Sequence, residues 1–431
     1  MHSLKMSALL IAALAFAIPA MGATDPDAMA RALEQVNQRL DTLEQQNRQL
    51  VQRVDELTQQ NETLSAANQS PPVAPEPAAV KPAAAPAAPR EEWESRIRLG
   101  GDFRFRHESI DNSALSDERT RESIRARVSA NIKVNDTLKA EIGIGSGGRD
   151  PRGGAATLGD ASSRKDIGLD LAYMSWRPIE ELSLTAGKMR EPYVRPGRSQ
   201  FFDNEIRPEG IAVNYKDKHG LFGTAFRFWL EERALDADST LSGGQIGWDG
   251  TLGAASLKVG GGFWNFDNIK GRFPGFGNSI VSELGNSITG TSAAARYVYD
   301  YHIGQLFAET TFPIAGVPLN FFADYGHNYA ADNGLDTAYS VGVLVGKASA
   351  PGKWEVGVMN QKVEKDALFA HWTDSDYGSG VTDNDGFAWR LAVMAMKSLT
   401  IDLTYYDTRY NVDVGNEADY DRWQINFIST F

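Results

Sequence analysis

Residues 420–431, YDRWQINFISTF, place two different kinds of side chain on the two faces of an extended strand. One face is mostly apolar and ends on an aromatic ring: Trp423, Ile425, Phe427, Ser429 and Phe431. The other face is mostly polar: Arg422, Gln424, Asn426, Ile428 and Thr430. Such a pair of faces suits a strand that lies between lipid and a water-filled lumen. The end of the chain therefore predicts a membrane-spanning β-strand.

The overall composition is that of an ordinary water-soluble protein. The 431 residues include no cysteine and carry a formal net charge of −13, and the mean hydropathy is −0.35. In a β-barrel, however, each lipid-facing residue is averaged with a lumen-facing one, so this composition does not exclude a membrane protein. The acidic balance argues against nucleic-acid binding, because a phosphate backbone requires a basic surface.

The N-terminus carries an export signal. Residues 8–18 form an apolar run that follows Lys5 and precedes Ala20-Met21-Gly22, a cleavage site of small residues. The run is too short to span a bilayer, so residues 1–22 are predicted to be a signal peptide. The mature chain is then expected in the bacterial outer membrane, with its N-terminal region in the periplasm.

Residues 23–66 are predicted to form an α-helical coiled coil in the periplasm. Apolar side chains recur at heptad a and d positions, with Asn47 and Asn61 at two a positions. A seam this narrow requires a partner helix, although a single solvated amphipathic helix is the alternative. Residues 67–92, rich in proline and alanine, are predicted to be an extended linker, and residues 93–431 to be the barrel domain.

The pattern changes to a period of two after Trp93. Phe103 and Phe105 fall on one face of the first candidate strand, opposite Arg104 and Arg106. The second strand repeats this arrangement, with Arg125 and Arg127 on its polar face. A soluble β-sandwich also alternates, but its polar face is rarely lined by arginine over consecutive strands.

Short and long connections alternate along residues 93–431, which predicts an antiparallel transmembrane β-barrel of about sixteen strands. Closure into a ring requires residues 420–431 to pair with residues 96–108. The expected short connections are 135–136, 177–181, 216–220, 249–250, 313–318, 349–353 and 397–399. The expected long ones are 109–121, 147–166, 191–208, 232–242, 267–302, 329–336, 368–384 and 412–419.

Aromatic residues near the strand ends are expected to form girdles at the two membrane interfaces. The alternative is that they are core aromatics of a β protein. The residues concerned are Tyr173, Trp176, Phe228, Trp229, Trp264, Phe266, Trp354, Trp389, Tyr405, Tyr406 and Trp423.

Several of these motifs resemble those of bacterial outer-membrane porins. The terminal phenylalanine is one, and LTAGKMREPY followed by EIRPEGIAVNY is another, because it resembles the strand, third loop and returning strand of sixteen-stranded porins. With the coiled coil and linker, the chain resembles the Gram-negative putative-porin family. The resemblance implies a homotrimer in which the third long connection folds inward and narrows a channel for ions and small hydrophilic solutes.

This third connection is rich in charge of both signs, which a narrow pore would make effective. The candidate constriction residues are Arg190, Glu191, Arg195, Arg198, Asp203, Glu205 and Arg207, and the candidate pore-wall residues are Arg104, Arg106, Arg125 and Arg127. The resemblance implies a transverse field between acidic loop residues and this basic wall. Phe201 and Phe202 are expected to hold the loop against the wall. A solvated, salt-bridged external loop is the alternative.

The distribution of charge favours a weak preference for anions. Residues 93–233 hold 24 Lys and Arg against 22 Asp and Glu, whereas residues 234–431 hold 12 against 23. Positive charge is therefore concentrated in the half of the barrel that contains the candidate constriction.

Three other motifs are weaker. Gly143, Gly145 and Gly148 match a dinucleotide-binding pattern, but no helix is expected after them. The segments 383–386 and 332–336 carry oxygen ligands suited to Ca²⁺, although they lack EF-hand spacing and are typical of turns. His302 and His327 lie near Asp300 and Asp324, as in a barrel hydrolase, but no serine elbow accompanies them.

The preferred interpretation is a non-enzymatic porin without a cofactor or bound metal, whose partners are outer-membrane lipid, other copies of itself and small solutes. The asparagines at a positions favour a dimer of the coiled coil, whereas the resemblance implies a trimer. Peptidoglycan is a candidate partner of the coiled coil. The alternatives are a porin specific for anions or phosphate, a cell-wall tether and a barrel hydrolase.

Overall fold

The structure, a computed structural model, describes Gln45 and residues 96–275 and 282–431. The predicted signal peptide (1–22), coiled coil (23–66) and linker (67–92) lie outside the described residues, Gln45 excepted. Among the residues described, no helix is long and apolar enough to cross a membrane.

Residues 97–430 form a ring of sixteen long strands, each antiparallel to its neighbours. The predicted barrel of about sixteen strands is therefore confirmed. The strands are β1 (Ile97–Asn112), β2 (Arg119–Lys133), β3 (Leu138–Ser146), β4 (Ile167–Ile179), β5 (Leu182–Lys188), β6 (Glu209–Lys216), β7 (Leu221–Glu231), β8 (Ser239–Leu252), β9 (Ala255–Asp267), β10 (Tyr301–Ile314), β11 (Val317–Asn328), β12 (Thr337–Gly346), β13 (Trp354–Val363), β14 (Asn384–Met396), β15 (Leu399–Tyr410) and β16 (Ala418–Thr430).

The ring closes between its first and last strands. Thr430 lies opposite Asp102, and Tyr420 lies opposite Asn112. The backbone N–H of Gly101 donates to the carbonyl of Phe431 at 3.1 Å. The terminal strand therefore pairs with residues 102–112 rather than 96–108, because the first residues of β1 extend past the end of β16 and pair with β2. Closure satisfies the backbone of both terminal strands, as a lipid environment requires.

The two faces of the strands separate as the alternation predicts. Outward-facing Phe103 and Trp423 are 44% and 48% exposed, as expected for side chains that meet lipid. Arg104, Arg106 and Arg422 face inward and are buried. The sequence pattern therefore identified the lipid face and the lumen face correctly.

One predicted turn is wrong. Residues 249–250 lie inside β8, where Asp249 is opposite Lys258 of β9. The strands continue until Leu252 meets Ala255, and Gly253 makes the turn with a φ of 63°. Glycine adopts this left-handed conformation without the steric penalty that a Cβ would bring. The Asp-Gly pair was a local turn signal that the pairing of the two strands overrode.

The prediction of aromatic girdles is only partly right. The indole rings of Trp176, Trp229, Trp354, Trp389 and Trp423 are exposed on the outer face. By contrast, Phe228, Trp264, Phe266 and Tyr406 are buried inside the barrel. Their positions near strand ends did not reveal which face they occupy, because neighbouring residues on a strand point to opposite faces.

Candidate functional site

The third long connection, residues 189–208, joins β5 to β6 as predicted and is called loop 3 here. Glu205 contacts arginines of β1 and β2. Ser199 donates a hydrogen bond to Asp324 of β11 at 2.7 Å, and Arg198 pairs with Glu355 of β13 at 2.9 Å. One loop thus contacts inward-facing side chains on widely separated parts of the ring.

Glu205 brings three of the four candidate wall arginines together. Its carboxylate lies 3.1 Å from Arg104 and 3.5 Å from Arg127, and it also bonds Arg125. The backbone N–H of Gly154 donates a hydrogen bond to Oε2 of Glu205 at 2.6 Å. Burial alone would raise the pKa of Glu205, but the three guanidinium groups outweigh burial and lower that pKa to about 2. Acid and base are therefore in direct contact here, whereas the resemblance implied that they would face each other across the lumen.

A chain of buried hydrogen bonds fixes the first half of loop 3 to the opposite wall. The side-chain amide of Gln245 accepts from the backbone N–H of Val194 at 2.8 Å and donates to the backbone carbonyl of Val194 at 3.0 Å. It also donates to Gln305 at 2.9 Å, and Gln305 donates to Asp324 at 2.8 Å. Because Asp324 accepts from Ser199, the chain returns to loop 3. Nothing in the local sequence marked Gln245, Gln305 or Asp324 as partners of the loop.

Aromatic packing holds the same side of loop 3. Phe201 and Phe202 are each 1% exposed, and the ring of Phe202 lies 4.2 Å from that of Trp264. Tyr193 meets Trp264 edge-on at 4.7 Å. These residues belong to an apolar cluster that fills the inner side of β7–β10. The inner wall is therefore apolar on one side and basic on the other.

The remaining candidate residues of loop 3 form separate ion pairs. Arg195 pairs with Glu191 within the loop at 2.9 Å, and Arg207 lies 3.6 Å from Asp170 of β4. Arg190 pairs with Glu141 of β3. The loop charges are thus distributed around the ring rather than gathered at one point.

A second connection, residues 364–383, packs against loop 3 and is called loop 7 here. The backbone N–H of Asp203 donates to the carbonyl of Trp372 at 2.9 Å. Asp376 lies 3.0 Å from Arg106 and 2.9 Å from Arg422. The fourth candidate wall arginine, Arg106, is thus paired with loop 7 instead of loop 3. The sequence analysis missed this role, although the aromatic residues of loop 7 were an available signal.

Three carboxylates meet where the two loops join. Burial and the nearby Asp374 raise the pKa of Asp203 well above its usual value. Burial and the neighbouring Asp376 raise the pKa of Asp374 to about 6. Burial also opposes ionisation of Asp376, but Arg106 and Arg422 outweigh it and lower its pKa. The junction therefore combines one stabilised carboxylate with two that resist ionisation.

Three cavities follow one another along the β1–β4 side of the barrel. The first, of about 520 Å³, and the second, of about 260 Å³, share Arg127, Asp170 and Arg207 as lining residues. The second and a third cavity, of about 360 Å³, share Gly100 and Asn131. The third is also lined by Arg96, Arg98, Lys133 and Lys139. The open volume thus follows the basic wall.

The other motifs do not come together as a site. Gly143 and Gly145 lie within β3, and no helix follows them. His302 lies 3.8 Å from Asp267, and His327 lies 3.2 Å from Asp336, so neither is paired with Asp300 or Asp324 as a hydrolase would require. Within residues 96–275 and 282–431, no group of three or more His, Asp or Glu side chains could hold a metal ion.

The closed ring of sixteen antiparallel strands, with an apolar outer face and a partly basic inner wall, is the fold of sixteen-stranded outer-membrane porins. The family model described as "Putative porin" matches residues 111–298. The resemblance to that family, inferred above from sequence motifs, is thereby confirmed over these residues.

The fold is shared with a solved structure at low sequence identity. OprB of Pseudomonas putida, in a high-pH structure, is 14% identical with a TM-score of 0.54, and the alignment covers 78% of this chain and 95% of OprB. Salmonella typhi OmpF, in a complex with daunomycin, is 11% identical with a TM-score of 0.47, covering 78% of this chain and 97% of OmpF. No curated protein sequence matches.

Proposed function

We propose that the protein forms a water-filled channel through which small hydrophilic solutes and ions diffuse passively, and that loop 3 narrows this channel. The observation that carries the proposal is the set of contacts made by loop 3. Glu205 binds the wall at β1 and β2, while Ser199 and Arg198 bind it at β11 and β13. Because β11 lies six strands from β1 and seven from β2 in the ring of sixteen, a loop that contacts both sides restricts the space between them.

The permeation path follows the β1–β4 wall. The cavities are lined on one side by residues of β1–β4, and the first is bounded on its other side by residues of loop 3, loop 7 and β7. Where the first two cavities meet, the shared lining residues Arg127 and Arg207 both pair with Asp170, which leaves one positive charge in excess. A partly buried excess charge of this kind favours a weak preference for anions.

Planar-bilayer recordings test both parts of the proposal. We expect a stable open conductance in salt alone and a reversal potential of anionic sign in a salt gradient. Arg127→Gln should move this potential toward cations, whereas Lys139→Gln at the third cavity, away from the junction of the first two, should move it less. Absence of conductance would contradict the channel, and clear cation selectivity would contradict the anion preference.

The oligomeric state follows from the resemblance to porins, which implies a homotrimer. The coiled coil at residues 23–66 is proposed to lie in the periplasm, where peptidoglycan is a candidate partner. Single-channel recordings that show three equal conductance steps per insertion would support the trimer, whereas one or two steps would contradict it.

The phosphate-specific alternative rests on the same arginines of the wall. It predicts that millimolar phosphate blocks the chloride current, whereas a general channel is not blocked. The tether and hydrolase alternatives are tested by deletion of the coiled coil and by lipid and peptide hydrolysis assays.

A further inference from the structure

Two largely buried acidic side chains meet at the C-terminal end of loop 7. Asp383 is fully buried and ends loop 7, and Asp413 lies in the connection 411–417 after β15. The backbone N–H of Asp413 donates to Oδ1 of Asp383 at 2.6 Å. This hydrogen bond brings the two acidic residues together, and Oδ2 of each is shielded from water.

The second oxygen of each acid lacks a donor. Oδ2 of Asp383 and Oδ2 of Asp413 are both buried, and no donor in the described part of the chain reaches either atom. Oδ1 of Asn384, which follows Asp383 in the chain, is also buried without a donor. Buried oxygens without partners are costly, and two like charges in contact increase that cost. These three oxygens thus lack a donor or a positive partner.

Nearby basic groups supply only part of the missing charge. The ammonium of Lys362 lies 3.2 Å from Oδ1 of Asp413 and 3.5 Å from Glu364, so it is shared between two acids. Lys365 donates to the carbonyl of Gly285 at 2.7 Å. The backbone of Asp383 is held in the left-handed region, with a φ of 61°, which is uncommon for a residue with a side chain. The local fold therefore holds this carboxylate in place at some strain.

We propose that Asp383 and Asp413 bind a hard divalent cation, Ca²⁺ or Mg²⁺, at this position. Carboxylate oxygens are the preferred protein ligands of both ions, and either ion completes its shell with water when the protein supplies two carboxylates. The bound cation ties the end of loop 7 to the connection 411–417. Because loop 7 also carries Asp376, which binds the wall arginines, the cation steadies the loops that line the channel.

Calorimetric titration of the full-length protein, refolded without lipopolysaccharide and freed of metal with EDTA, tests the proposal. We expect one Ca²⁺ or Mg²⁺ per chain, with a Kd on the order of 10⁻⁴ to 10⁻³ M for Ca²⁺. Asp383→Asn and Asp413→Asn should each weaken binding at least about tenfold, as expected when one of two charged ligands is lost. Asparagine tolerates the left-handed backbone of residue 383, so the first variant preserves the local fold.

The matched control is Asp332→Asn, because Asp332 is an exposed acid in another turn, Asp332-Asn333-Gly334. This variant should bind the cation with the affinity of the unaltered protein. Heat-modifiable mobility on gels checks that each variant has folded. Equal binding by the unaltered protein and Asp383→Asn would overturn the proposal. An equal loss of affinity in Asp332→Asn would also overturn it, because it would indicate binding to a diffuse acidic surface. So would the absence of binding of either ion, which would indicate a proton shared by the two acids.

Discussion

At the scale of single residues, Glu205 joins loop 3 to the basic wall. It is buried, it contacts Arg104, Arg125 and Arg127, and its pKa of about 2 keeps it ionised at neutral pH. The residue types of this site were predictable, because a charged loop and an arginine-lined strand face are local patterns. The direct contact between them was not predictable, because the sequence does not give the depth to which a loop enters the barrel.

Glu205→Gln should weaken the docking of loop 3 by about 3–5 kcal/mol, the usual effect of removing one partner from a buried ion pair. The arginines that lose this carboxylate partner should also shift the reversal potential further toward anion selectivity. Bilayer recordings measure the selectivity, together with the extra current fluctuations of a looser loop. Glu209→Gln is the control, because Glu209 is exposed and pairs with Lys188. Unchanged selectivity in Glu205→Gln would contradict the role of this site.

At the scale of elements, loop 3 and loop 7 form one unit inside the barrel. Loop 3 could be predicted from its charges and its place between the fifth and sixth strands. The packing of loop 7 against loop 3 and the wall could not be predicted, because its contacts with Asp203 and with Arg106 join residues that are far apart in the chain. The burial of Phe369 and Trp372 explains why this connection contains large apolar residues.

The junction of the two loops should depend on pH. A carboxylate whose pKa is raised by folding stabilises the folded arrangement below its ordinary pKa and loses that effect as the pH rises through the raised value. Asp374, with a pKa of about 6, and Asp203, whose pKa is also raised, follow this rule. Asp376 has a lowered pKa, so its contribution is lost only in strong acid.

We therefore expect more frequent current fluctuations at pH 8 than at pH 5, because docking of loop 7 on loop 3 weakens as Asp374 ionises. Asp374→Asn should reduce this difference, since the amide stays neutral at both values. Single-channel noise recorded across this range provides the measurement. More frequent current fluctuations at pH 5 than at pH 8, or fluctuations that do not depend on pH, would refute the role of Asp374 in the docking of loop 7.

The strands make a separate prediction about their two faces. Phe105→Arg should cost about 2–4 kcal/mol of unfolding free energy, because the ring faces lipid several residues from the end of β1 at Ile97. Phe103→Arg should cost less, since it lies closer to that end. Urea unfolding in lipid vesicles measures both values. Asn131→Arg, on the inner face of β2, is the control and should change stability little. Equal losses of stability in Phe105→Arg and Asn131→Arg would contradict the assignment of the lipid and lumen faces.

At the scale of the whole molecule, the barrel closes between its first and last strands. The seam joins residues 101–112 to residues 420–431 through the pairing of β1 with β16 and the hydrogen bonds between Gly101 and Phe431. Deletion of residues 23–92 should therefore leave a heat-stable barrel with the conductance of the full chain. Gel mobility and bilayer recordings check this. Loss of folding would show that the N-terminal region contributes to the barrel, whereas loss of the oligomer alone would assign assembly to the coiled coil.

The sequence by itself determined the barrel, the lipid and lumen faces of its strands, the seam at residues 420–431 and the charged third loop. These features depend on patterns with a period of two or on turn residues, which are local. The tertiary structure alone decided which wall each loop contacts, which aromatic residues turn inward, and that Asp383 meets Asp413. Such contacts join distant positions, as Val194 and Gln245 show by lying 51 positions apart in the sequence, and they arise only once the ring has closed.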